Sequence, residues 1–206
     1  YGGLLVISHS TGGGFNVPEE KAVHDSLRPG GWQSKWLEDL LAEQSGNYVW
    51  KVVMLHRPTY SSAKRYHSFM NPGSRHVTEL CEDGGVDFVL FGHVHTMQRS
   101  KPIWRGEVVE ASRGVVHFES GGGGGTNLGG EAPREYTGFI NGSTWGFLQV
   151  DVTYGDAGES TATFRFIDEN GQLLDEWSKT KPLAPRAGSP IVEGREAYGG
   201  GGSPPR

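Results

Sequence analysis

Val86-Asp87-Phe88-Val89-Leu90-Phe91-Gly92-His93-Val94-His95, residues 86–95, is an apolar run that stops abruptly at a glycine and two histidines. A short apolar run bounded by turn residues predicts a strand buried on both faces, as in a parallel sheet. Just before it, Ser74–Asp83 carries Val77, Leu80 and Cys81 on one side and ends at Gly84-Gly85, the pattern of a short helix. Further back, Val52-Val53-Met54-Leu55 is a second buried strand, halted by His56-Arg57-Pro58. Trp32, Trp36, Leu37, Leu40 and Leu41 form one helical stripe that Gly46-Asn47 closes, and Leu4-Leu5-Val6-Ile7 supplies another strand. Strand–helix–strand–helix–strand is an α/β pattern.

Downstream of His95 the pattern changes. Val108–Ala111, Val115–Glu119, Gly146–Val152, Thr161–Ile167 and Leu173–Ser178 are predicted strands, with Asn170-Gly171 as a hairpin turn between the last two. This half is expected to form a second sheet packed on the first, with Trp104, Trp145 and Trp177 as anchors between them. The five glycines Gly121–Gly125 predict a mobile turn. Residues 1–182 are expected to form one folded unit, and 183–206, rich in Gly, Pro and Ser, a disordered tail.

Composition narrows the function classes. A formal charge of −5 and a pI near 5.9 give no general attraction to nucleic acid or an anionic membrane. An anionic substrate therefore needs a local cation to hold it. No apolar run approaches the roughly 20 residues of a membrane span. Cys81 is the single cysteine, so no disulfide forms within the chain. The chain starts at Tyr1, without Met, and runs at once into a strand; a true N-terminus further upstream is expected.

Candidate ligands concentrate where the strands end. His56 follows one run directly, and Gly92-His93-Val94-His95 follows another. In open α/β sheets, ligands bind beyond the carboxyl ends of the strands. On extended backbone, residues i and i+2 share a side, so His93 and His95 are expected to aim at one locus, with Gly92 turning the chain. Neutral imidazole is a good ligand for zinc, iron, copper and nickel, and three histidines supply most of a shell. His9, His24, His76 and His117 lack convergent partners in the sequence and are assigned ordinary core or surface roles.

The stretches His56-Arg57-Pro58-Thr59-Tyr60-Ser61-Ser62 and Val89-Leu90-Phe91-Gly92-His93-Val94-His95, followed by Arg99, resemble the calcineurin-like metallophosphoesterases, and within them the purple acid phosphatase branch. Gln33-Ser34-Lys35-Trp36-Leu37 is similar to the start of a helix in that branch. The resemblance implies a two-sheet α/β/β/α sandwich, of which this chain is the C-terminal portion. It implies hydrolysis of phosphate monoesters at a binuclear centre of divalent or trivalent ions, iron paired with zinc, manganese or iron. By the same resemblance His56 and His93 bind one metal and His95 the other, while His67 contacts phosphate and protonates the leaving oxygen. It implies a small phosphorylated substrate and export to an extracellular or periplasmic location. Met97 and Gln98 stand where the family carries Tyr and Glu. The family's Asp and Asn ligands come from motifs that this sequence does not contain, so the chain alone is expected to bind metal weakly and turn over little.

Two other readings fit the same residues. One is a phosphodiesterase or nucleotidase of the same superfamily; the other is a non-catalytic interaction module that keeps the scaffold.

Overall fold

The computed structural model describes residues 3–11, 25–44, 46–64, 72–125, 131–156 and 158–183. Leu4–Ser8 is β1, Trp32–Glu43 α1, Trp50–Leu55 β2, Pro72–Asp83 α2 and Phe88–Phe91 β3. The short strands β4 (Met97–Ser100), β5 (Ile103–Trp104) and β6 (Glu107–Val108) follow, then β7 (Val116–Ser120) and β8 (Thr137–Asn141). Three long strands close the chain: β9 (Gly146–Gly155), β10 (Glu159–Asp168) and β11 (Leu173–Pro182).

Six strands form the main sheet in the order β1-β2-β3-β7-β4-β8. β1, β2, β3 and β7 run parallel, with the mainly apolar and buried β2 and β3 at the centre; β4 is antiparallel to both of its neighbours. The second sheet is the antiparallel meander β11-β10-β9. Its last turn follows the Asn170-Gly171 signal. Gly171 is left-handed at φ 81°, and Asp168 Oδ1 accepts the Asn170 and Gln172 N–H groups at 2.9 and 2.7 Å.

Alternation along the strands creates two cores. On one face Ile7, Val53, Leu55, Val89 and Phe91 meet Leu37 and Leu41 of α1 and Val77 and Cys81 of α2. On the other, Trp50, Phe88, Phe118 and Met97 meet Ala162, Phe164 and Phe166 of β10. The rings of Phe118 and Phe164 stack at 4.2 Å, and the Trp50 indole donates to Ser160 Oγ at 2.8 Å. The layers are thus helix, sheet, sheet. The expected two-sheet arrangement is present, and no described helix covers the outer face of β9–β11.

Several sequence expectations change. β4, β5 and β8 were not foreseen, and of Val108–Ala111 only Val108 is a strand residue. Trp177 does pack between the sheets. Trp145 is 44% exposed, and Trp104 lies under the guanidinium groups of Arg105 and Arg113, each 5.8 Å from its ring. Residues 184–206 of the expected tail lie outside the described residues.

Near β1 the two sheets part. The gap is a cleft of about 320 Å³ with apolar walls that include Leu4, Val6, Met54, Val150 and Phe164. Val6, Met54 and Val150 reach solvent at its mouth.

Candidate metal centre

β2 and β3 are in parallel register, Leu55 opposite Phe91, so the residues that follow each strand emerge side by side. The Gly92 N–H donates to the His56 carbonyl at 3.1 Å and extends the ladder one step past the strands. Beyond it the rings of His56 and His93 meet: His93 Nδ1 lies 3.0 Å from His56 Nε2, with centroids 4.9 Å apart.

The backbone reaches this arrangement by a different route from the one expected. Residues 92–96 are not extended. The Val94 N–H donates to the Gly92 carbonyl at 2.8 Å and the Thr96 N–H to the Val94 carbonyl at 2.7 Å, so the segment is two successive three-residue turns. The left-handed residue is His93, at φ 67°, and not Gly92. For a side chain with a Cβ this conformation costs about 1–3 kcal/mol and persists where the surroundings impose it, commonly at functional sites.

His95 is half-buried and packs against the glycine run. A Cβ on Gly125 would lie 2.7–3.0 Å from its ring atoms, and one on Gly121 would lie 1.9 Å from the Val94 carbonyl oxygen. The Trp145 indole donates to the Gly125 carbonyl at 2.9 Å. Gly121–Gly125, expected as a mobile turn, is therefore fitted to the histidine loop: close approach explains glycine at 121 and 125. Gly124, at φ 122°, has no neighbour near its missing Cβ.

Burial lowers the pKa of His93 to about 4, reinforced by the Arg57 guanidinium and by His56 and His95 nearby. At neutral pH this imidazole is uncharged, the form that donates a lone pair. The bite of His56 and His93 suits a cation as well. Two nitrogens at 2.0–2.1 Å from a tetrahedral zinc are about 3.3 Å apart, close to the 3.0 Å observed here. The fit is partial: no group of three or more His, Cys, Asp or Glu able to hold an ion is assembled among the described residues. His56 and His93 come together, His95 stands behind them on the same loop, and His67 lies outside the described residues.

Gln98, noted in the sequence only for standing where the family carries Glu, and Glu119, which the sequence did not single out, sit beneath this loop. Gln98 and Glu119 are buried, and Glu119 Oε1 accepts the Val94 N–H at 3.1 Å. His117, on the same strand as Glu119, is also buried; its ring lies between Tyr60 at 4.9 Å and Phe91 at 5.7 Å, with neither nitrogen hydrogen-bonded among the described residues.

Residues 4–97 match the Calcineurin-like phosphoesterase family model. The chain is 36% identical over 73 residues to purple acid phosphatase 21 of Arabidopsis thaliana, covering 35% of this chain and 17% of that protein. It is 37% identical over 87 residues to an acid phosphatase of Aspergillus ficuum, covering 40% and 13%. Among solved structures it is similar to the purple acid phosphatase PPD1 from yellow lupin (Lupinus luteus) seeds. The TM-score is 0.60 at 27% identity, over 74% of this chain and 28% of that one. The chain therefore spans between 13% and 28% of the length of these three proteins.

Proposed function

We propose that this chain, similar over residues 4–97 to the calcineurin-like phosphoesterases and also to purple acid phosphatases, is the histidine-bearing portion of a hydrolase of phosphate monoesters with a binuclear metal centre. The observation that carries this is the 3.0 Å meeting of His56 and His93 nitrogens at the carboxyl ends of two parallel strands. His56 and His93 are assigned to one ion and His95 to the other. His67 is assigned to the leaving-group proton on its sequence position alone. The metal pair, iron with zinc, manganese or iron, would polarise phosphate oxygens and lower the pKa of bound water.

The chain's own residues prepare that role. The low pKa of His93 keeps its lone pair available, and the turns of 92–96 present two imidazoles within one short loop. No Asp or Glu joins them among the described residues, so the remaining ligands are assigned to a further stretch of polypeptide. An exported location belongs to the same proposal.

Zinc titrated into the 206-residue chain by calorimetry tests the assignment. Weak binding is expected, and His56→Ala and His93→Ala should each reduce it about tenfold or more, since even second-shell losses cost 10–100-fold. Unchanged affinity in both variants would remove the metal assignment. Hydrolysis of p-nitrophenyl phosphate by this chain alone at the rates of a complete phosphatase would refute its being a portion of the site.

A further inference from the structure

Gln98 and Glu119 are direct cross-strand partners on β4 and β7, and their side chains meet in the interior. The Gln98 amide donates to Glu119 Oε2. Its Nε2 also donates to the Tyr60 carbonyl at 3.2 Å, and its Oε1 accepts the Ser62 N–H at 2.8 Å. Glu119 Oε1 accepts the Val94 N–H at 3.1 Å. The pair thus connects the loop that follows His56 to the loop that carries His93 and His95.

We propose that Gln98 and Glu119 form a positioning clasp that sets the two histidine-bearing loops relative to each other. The chemistry requires unlike partners. A primary amide both donates and accepts, so it can satisfy a backbone N–H and a carboxyl together; an ionised carboxylate only accepts. Two carboxyls could share one proton across the contact, but that proton could not also serve the Tyr60 carbonyl, and two amides pointed as these are would set NH₂ against NH₂. Gln98 is 5% and Glu119 1% exposed, so bulk solvent does not make up for a lost link. Burial pushes the Glu119 carboxyl well above its usual range, opposed by the bonds from Gln98 and Val94.

The purpose of the clasp rests on the proposed metal role, but its existence does not, and the test separates them. Amide hydrogen exchange and the ring ¹H–¹⁵N correlations of His93 and His95 are measured by NMR on the 206-residue chain without metal. Glu119→Gln and Gln98→Glu should each accelerate exchange at both Val94 and Ser62 by about tenfold or more, although these amides lie in different loops, and should shift both ring signals. The double variant Q98E/E119Q restores one donor facing one acceptor between the pair but loses the bond to the Tyr60 carbonyl; both amides should exchange more slowly than in either single variant, and the ring signals should move back toward the parent. The clasp is refuted where only the amide bonded to the altered side chain speeds up, or where the double variant behaves like the singles. If a single variant does not fold, the double decides: a folded chain with both amides protected supports the clasp, and an unfolded one overturns it. Zinc titration of the same samples is read separately. Coupled amides in a chain that takes up no zinc would leave the clasp standing and remove its metal-binding purpose.

Discussion

His117 shows what one residue costs when it is buried without a hydrogen-bond partner among the described residues. Burial lowers its pKa to about 3, so the folded chain holds it neutral through the range in which an unfolded histidine takes up a proton. The sign follows from proton counting. Between about pH 6.5 and 3 the unfolded state binds more protons at this site, so stability rises with pH there. The contribution is complete above pH 6.5 and is lost progressively on acidification. Glu119, which lines the same small cavity with Tyr60, Arg99 and Tyr136, works in the opposite direction. Its raised pKa favours the fold below the usual carboxylate range and weakens it as pH rises through the shifted value. Comparison with His117→Phe separates the two. Between pH 7.5 and 5 the parent should lose about 2 kcal/mol more than the variant, the linkage of one proton over about 1.5 pH units. Urea melts at both pH values measure this, and parallel losses would refute it.

At the scale of elements, apolar runs made β1, β2, β3 and both helices legible, because a strand or helix with a buried face must advertise it. β4, Met97-Gln98-Arg99-Ser100, was not legible. Its interior is satisfied by polar partners: Gln98 through Glu119, and Arg99 through two bonds to Asp175 of β11 at 2.7 and 3.0 Å. The same reason hid Gln98 and Glu119 from any search for periodicity, since an amide–carboxyl contact between distant positions leaves no repeating signal. His56, His93 and His95 were legible because they sit at strand ends. The left-handed turn at His93 was not, because only the pull of neighbouring loops imposes it. Asp87, at the entrance to β3, gives an element-scale prediction far from the histidines. Its buried carboxylate accepts the Lys51 N–H at 3.1 Å and bonds from Lys181 at 2.7 Å and Lys179 at 3.3 Å, and so ties β11 to the main sheet. Asp87→Asn would leave two lysines facing an uncharged amide. It should cost about 3 kcal/mol in urea unfolding, the usual penalty for breaking a buried ion pair, with zinc affinity unchanged. A parental midpoint would show that the tie is idle.

For the molecule as a whole, the two sheets hold each other unevenly. Stacked rings and the Arg99–Asp175 pair close the sandwich around β7 and β4, and the Trp50–Ser160 bond ties β2 to β10. Toward β1, the apolar cleft interrupts that packing. Volume left unfilled in a folded chain is given up when it unfolds, so hydrostatic compression acts on this molecule as heat or urea acts on others. High-pressure NMR should show Leu4, Val6, Met54 and Val150, which line the cleft, responding with curved shifts at pressures where Phe118 and Phe166, which do not, still respond linearly. The molecule would then be softest along its β1 seam, and squeezing would part the layers there first.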